Sequence, residues 1–144
     1  MIQRIQTLFL IAIAILMIVA LAFPLVTFID GESILKLTAF NLTNGEEIIS
    51  NNFYISIPIV LVAIASIYSM LQFKNRLLQI KLGALISLLV VIATGLIFIT
   101  KGEYANVKID IGIWSLLASL ICNFMSNWFI RRDDKLVRDS NRLR

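Results

Sequence analysis

The sequence predicts an all-α membrane protein, a four-transmembrane-helix bundle with both termini in the cytoplasm (N-in/C-in). Hydrophobic residues make up 59% of the 144 residues, whereas soluble domains hold about 45–50%. Four stretches without a charged residue each approach the length of about 20 residues that a helix needs to cross a bilayer. The basic residues gather between these stretches and at the ends of the chain, which is typical of membrane topology.

Four transmembrane spans are predicted within a single domain at 1–144. They cover about residues 5–29, 53–73, 82–100 and 111–130, with an outer loop at 30–52 and a cytoplasmic tail at 131–144. Backbone groups in lipid must be hydrogen-bonded within the segment, so helices are expected. A cleaved signal peptide is the alternative for the first span, because Ala20-Leu21-Ala22 fits a cleavage site. The apolar run continues to Ile29, which favours a retained helix.

The distribution of basic residues predicts the orientation. Ten of the 13 lysines and arginines lie before the first span, in the link at 74–81 or in the tail, and three lie in the other two connections. The positive-inside rule places the first group in the cytoplasm. Topology also accounts for the net charge of +4, so nucleic acid is not an expected partner.

The outer loop has strand-like sequence. Segments 34–40, 46–49 and 105–111 are rich in β-branched residues or alternate between apolar and polar residues, and Asn44-Gly45 is a strong turn signal. A small β-hairpin or a three-stranded cap on the outer face is therefore expected, because a third strand helps a hairpin to persist. The alternative is a flexible loop.

Catalytic chemistry has little support in the sequence. The chain has no histidine and a single cysteine, Cys122, and no charged residue lies deep in a span, which argues against a proton relay or an ion-coupled transporter. No phosphate-binding glycine loop or metal-ligand motif is present. We therefore predict a protein that is not an enzyme, with no catalytic, cofactor-binding or metal-binding residues.

Mildly polar residues inside the spans favour close helix packing. Gly83 and Ser87 are four residues apart, a spacing that lets helices approach closely in lipid. The sharper alternative is a polar pore lined by Asn123 and Asn127 near the inner end of the fourth span.

The tail is predicted to continue the fourth helix into water. Its basic residues could anchor the protein to anionic lipid heads or dock another protein, and the N-terminal residues are expected to lie close to its first turns. The residues expected to contact a partner or lipid heads are Gln3, Arg4, Gln6, Arg131, Arg132, Lys135, Arg138, Arg142 and Arg144.

The two ends of the chain carry a family resemblance. Residues 1–7 (MIQRIQT), 134–138 (DKLVR) and 142–144 (RLR), together with 37–40 (LTAF), resemble a family of small, uncharacterised four-helix membrane proteins of the Bacteroidota. The family is a domain of unknown function, so no binding or catalytic residue is carried over. The resemblance implies a bacterial cytoplasmic (inner) membrane.

The expected function is that of a non-enzymatic accessory or scaffold subunit in a larger membrane assembly. The expected partners are membrane lipids and a membrane protein. A small transporter or channel acting as a homo-oligomer is the alternative.

Overall fold

The computed structural model describes residues 2–30, 33–45, 47–72, 75–101 and 106–142, with side chains over 5–29, 34–45, 47–72, 75–100 and 106–136. The helices are α1 (Ile2–Ala22), α2 (Phe53–Leu71), α3 (Arg76–Lys101) and α4 (Ile111–Arg142). The strands are β1 (Val26–Asp30), β2 (Ser33–Leu37), β3 (Asn41–Asn44), β4 (Glu47–Asn51) and β5 (Asn106–Ile109).

The helices form a ring in which α1 packs on α2 and α4, and α3 packs on the same two helices. Their inward faces share a core that includes Ile13, Met17, Ile59, Ile86 and Val90. We call the end of the ring that carries the strands the sheet end. The opposite end, where α1 and α3 begin, is called the basic end, because Arg76, Lys81 and the basic residues of α4 lie there.

The outward faces of the helices are also apolar. Large aliphatic side chains such as Leu8, Ile18, Ile64, Val91 and Ile121 are exposed. Over the described ranges, four helices are long and apolar enough to cross a membrane. An apolar surface of this extent on every helix is unlike that of a monomeric soluble domain.

The described strands form one antiparallel sheet in the order β4-β3-β2-β1-β5. The predicted three-stranded cap is therefore too small, because the described residues already contain five strands. Val26 pairs with Leu37 and Phe28 pairs with Leu35. These four side chains are buried in the same core cluster as the helices, so the sheet closes one end of the ring.

The first predicted span, 5–29, is wrong in its second part. Helix α1 ends at Ala22, and Val26–Asp30 form strand β1. Pro24 is the reason, because proline has no backbone N–H and disfavours a helical conformation in the residue before it. Strand β1 lies between β2 and β5, and Val26, Thr27 and Phe28 are all buried. A buried strand consists of a continuous run of apolar residues, so its sequence cannot be distinguished from that of a buried helix by periodicity alone.

The predicted turn at Asn44-Gly45 is confirmed. Gly45 has a φ of +63°, and Asn44 pairs with Glu47 across the hairpin of β3 and β4. A positive φ at the first central position is typical of tight hairpin turns and favours glycine. Residue 46, where a strand was expected to begin, lies outside the described residues.

The segment at 34–40 was predicted as one strand, but the chain turns after Leu37. The Thr38 backbone N–H donates to the Asn41 carbonyl oxygen at 2.9 Å, and the Asn41 N–H donates to Thr38 Oγ1 at 3.0 Å. Threonine hydroxyls stabilise turns by bonding to the local backbone in this way. The turn separates β2 from β3 and supplies one of the two strands absent from the prediction.

Sheet and helices join where β1 meets the start of α4. The Gly112 N–H donates to the Pro24 carbonyl oxygen at 3.1 Å, and the Asp110 N–H donates to the Leu25 carbonyl oxygen at 3.2 Å. A Cβ on Gly112 would lie 2.8 Å from that Pro24 oxygen and 2.7 Å from Leu25 Cδ2. Because a backbone atom lies in the way, this junction requires glycine.

We therefore expect Gly112→Ala to lower the free energy of unfolding by about 1–3 kcal/mol, the usual cost of forcing extra volume into a packed site. Gly95→Ala is the matched control, since nothing lies within 4 Å of its added Cβ and alanine is the better helix former. Both variants are compared by SDS-induced unfolding in mixed micelles. Equal stabilities for the two would contradict the role given to the junction.

Candidate partner-binding site at the basic end

Helix α4 continues well past its apolar part, as predicted for the tail. It runs from Ile111 to Arg142, and Arg76, the first residue of α3, contacts Asp133. The nine residues of α4 after Asp133 therefore extend about 13 Å beyond the start of α3, at 1.5 Å per residue. The result is a basic helical extension of the bundle.

An ion pair holds this extension to its neighbour. Arg76 Nη2 lies 3.0 Å from Asp133 Oδ2, and Arg76 Nη1 donates to the Asp133 carbonyl oxygen at 3.2 Å. Both side chains are largely buried, so water screens this pair less than a pair on the open surface. Asp133 is thus engaged within the protein, whereas Arg131, Arg132 and Lys135 are exposed.

Aromatic contacts set the position of α1 against α4. The rings of Phe9 and Phe129 stack with centroids 5.8 Å apart. Phe129 also meets Trp128 edge to face at 4.9 Å, and the Arg132 guanidinium lies 5.7 Å from the centre of the Trp128 ring. Because α1 and α4 run in opposite directions, the turns of α1 before Phe9 lie beside the turns of α4 after Phe129.

The predicted contact residues have different outcomes. Arg131, Arg132 and Lys135 are exposed on α4. Gln6 was wrong as a surface residue: it is only 6% exposed, because it faces the interior of the ring on α1. The described part of the chain does not include the side chains of Gln3, Arg4, Arg138 and Arg142. It does not include Arg144 at all.

A buried polar network links the helices in the basic half of the interior. Asn123 Nδ2 donates to the Gly83 carbonyl oxygen at 2.8 Å and to Ser87 Oγ at 2.7 Å, joining α4 to α3. Gln79 Nε2 donates to the Ser69 carbonyl oxygen at 2.9 Å, joining α3 to α2. The four-residue spacing of Gly83 and Ser87 was the sequence signal for this face. Gln79 continues that spacing but lies before the predicted span, and it was missed.

Gly83 lets the side chain of Asn127 on α4 pack directly against the backbone of α3. A Cβ on this residue would lie 2.3 Å from the side-chain amide atoms of Asn127. Asn123 is 1% exposed and engaged with α3, so it acts as a clamp between helices. The packing role of Gly83 and Ser87 follows from these contacts, whereas a pore lined by Asn123 and Asn127 remains a prediction.

Several polar atoms in this half have no hydrogen-bond partner within the described chain. They are buried, and they come from three of the four helices: Gln6 Nε2, Ser69 Oγ, Asn123 Oδ1 and Ser126 Oγ. The sheet half of the interior is mostly aliphatic, with Ile55, Ala93 and Ile97. In the described residues, no group of three His, Cys, Asp or Glu side chains is arranged to hold a metal ion. The chemistry available in the interior is therefore neutral hydrogen bonding.

Asn123→Ala should destabilise the bundle, because it removes the two hydrogen bonds by which this side chain joins α4 to α3. We expect a loss of about 1–2 kcal/mol in the free energy of unfolding, given the usual strength of such bonds. Ser119→Ala is the control, since its buried hydroxyl bonds only within α4, to the Leu116 carbonyl oxygen. SDS-induced unfolding measures both, and a larger loss for Ser119→Ala would refute the clamp.

The comparison with known proteins agrees with the resemblance seen in the sequence. No curated protein matches the chain. A family model, described as "Domain of unknown function (DUF4293)", matches residues 2–143. The chain, with its ring of four apolar helices closed by a sheet, therefore belongs to the DUF4293 family.

Proposed function

We propose that this protein is a non-enzymatic accessory or scaffold subunit of a larger assembly in the bacterial cytoplasmic membrane, with both termini in the cytoplasm. The observation that carries the proposal is the basic part of α4, in which Arg131, Arg132 and Lys135 are exposed and which is held in place by the Arg76–Asp133 ion pair. A positioned helix pays little ordering entropy when a partner binds, which suits a docking element.

Membrane insertion is supported by the apolar outer surface of the four helices. The distribution of charge supports the orientation. The basic end carries Arg76, Lys81 and the cations of α4, whereas the described part of the sheet end carries Lys36 and Lys108. The positive-inside rule places the basic end in the cytoplasm and the sheet on the outer face.

Cysteine labelling in intact cells tests this orientation. Cys122→Ser removes the cysteine of the natural chain, and Lys36→Cys and Lys135→Cys are then made separately, since both lysines are exposed. We expect a membrane-impermeant maleimide to label the cysteine at position 36 in cells whose inner membrane is intact. The cysteine at position 135 should react only after that membrane is opened. The reverse pattern would disprove the orientation.

The tail has a mixed chemical character that suits a protein partner. Arg131 and Lys135 are exposed and lie one turn apart on the same face of α4. Leu136, next in the chain, is 52% exposed. Basic groups beside an exposed leucine fit an acidic surface with an apolar patch, whereas lipid head groups would use the charges alone. Contact with anionic lipid heads through Arg131 and Arg132 is compatible with this arrangement.

The partner is tested by affinity purification of the chromosomally tagged protein in mild detergent, with mass spectrometry and native sizing. We expect one larger membrane complex at fixed stoichiometry. Arg131→Gln with Lys135→Gln should lower its recovery about tenfold, since two charge-assisted contacts are removed. Lys36→Gln with Lys108→Gln, which removes equal charge from the sheet end, is the matched control. Recovery of a lone monomer or homo-oligomer, or equal losses in both variants, would overturn the proposal.

A small transporter or channel acting as a homo-oligomer is the second candidate. The buried polar atoms without partners in the basic half, including Asn123 Oδ1 and Ser126 Oγ, favour it because they could be hydrated. The aliphatic interior at the sheet end would close such a pathway within one chain. Ion flux into proteoliposomes discriminates between the two functions, since an accessory subunit alone should conduct nothing.

A further inference from the structure

A second site lies at the sheet end, between the edge strand β4 and the adjoining ends of α2 and α3. It is a cavity of about 410 Å³, within the range of small-molecule sites. Leu42, Ile49 and Ile99 supply its apolar surface, and Ser50, Asn52, Tyr54 and Thr100 supply its polar groups. None of these lining residues is charged.

Asn52 is one of the residues that line the cavity, and its side-chain amide has an unused hydrogen-bond donor. Its side chain is only 5% exposed, and Nδ2 has no partner within the described residues. Its Oδ1 accepts a hydrogen bond from Ser50 Oγ at 3.3 Å, and the side chain makes no capping bond to α2, which begins at the next residue. A buried donor without a partner costs free energy, so a ligand that supplies an acceptor gains from this group.

Unused acceptors lie beside this donor. Thr100 Oγ1 donates its hydrogen to the Leu96 carbonyl oxygen at 3.0 Å. In the 3.1 Å contact between Tyr54 and Thr100, the Tyr54 hydroxyl must therefore be the donor. The Tyr54 oxygen keeps its acceptor capacity, as does Ser50 Oγ. The complementary ligand is uncharged and carries one carbonyl-type acceptor next to a hydroxyl donor.

The position of the cavity identifies the source of such a ligand. Tyr54 lies in the first turn of α2, and Thr100 lies in the last turn of α3, so the cavity lies at the ends of two apolar helices. Ile99, which is 75% exposed, carries the apolar wall of the cavity onto the outer surface of α3. In a bilayer this is the depth of the glycerol and ester groups of lipids, with acyl chains beside the helices.

We propose that this cavity binds the ester carbonyl and free hydroxyl of an uncharged acyl lipid from the outer leaflet. Asn52 Nδ2 donates to the carbonyl, the Tyr54 oxygen accepts from the hydroxyl, and the acyl chain follows Ile99 along α3. The assignment rests on the membrane insertion proposed above, but it is independent of the partner of the tail.

The test uses the purified full chain and monooleoylglycerol, an uncharged lipid with an ester carbonyl, free hydroxyls and one acyl chain. Affinity is measured by native mass spectrometry from detergent. Asn52→Asp keeps the shape of the side chain but replaces the donor with an acceptor, and we expect binding to weaken about tenfold. Because a carboxylate is costly at a position that is only 5% exposed, circular dichroism first checks that the variant is folded. Tyr54→Phe, which removes an acceptor, should weaken binding about threefold.

Thr94→Ala is the control, since this hydroxyl bonds within α3 to the Val90 carbonyl oxygen and lies away from the cavity. It should leave the affinity unchanged. Unaltered affinity in Asn52→Asp, or equally tight binding of methyl oleate, which has no hydroxyl, would overturn the proposal. So would the absence of an adduct with folded wild-type protein. Such a failure is separable from a failure of membrane insertion, because the cysteine-labelling experiment reports insertion without any lipid ligand.

Discussion

The junction between β1 and the start of α4 is the contact on which the architecture depends. Backbone hydrogen bonds from Asp110 and Gly112 reach Leu25 and Pro24, and the Leu25 N–H donates to the Leu37 carbonyl oxygen at 2.8 Å. These bonds tie the end of one helix, the start of another and the middle of the sheet together. Without these bonds the sheet would be joined to the helices only through its loops. The part of the shared core at the sheet end would then be exposed.

The interior is divided along the axis of the ring. Towards the sheet it is mostly aliphatic and continuous with the inner face of the strands. Towards the basic end it contains Gln79, Asn123 and Ser126, which are buried in spite of their polarity. Aliphatic packing at one end provides a fixed frame, whereas neutral hydrogen bonds at the other end specify which helix faces meet. Such bonds are only modestly stabilising in lipid, so they contribute more to register than to total stability.

The helices could be predicted from the sequence because a long apolar run without charges has few other solutions. The sheet was harder to predict. Most of strand β1 is buried, and Val26 to Ile29 continue the apolar run of α1 in the sequence. Pro24 was the signal that separates the strand from the helix. Strand β3 was missed because the turn at Thr38 depends on a side-chain hydrogen bond that no composition reveals. Gln6 was misplaced for a related reason: near a terminus, a polar residue looks like surface unless the face of its helix is known.

Helix α4 is the element that relates the two ends of the molecule. Its first turns are bonded to the sheet through Gly112, its middle is clamped to α3 through Asn123, and Asp133 is paired with Arg76. No glycine or proline interrupts it between Ile113 and Arg142, and those residues are the usual causes of a helix kink. A helix fixed at three levels moves as one body. The direction of the tail is therefore set by packing along the whole four-helix ring, and not by the sequence of the tail alone.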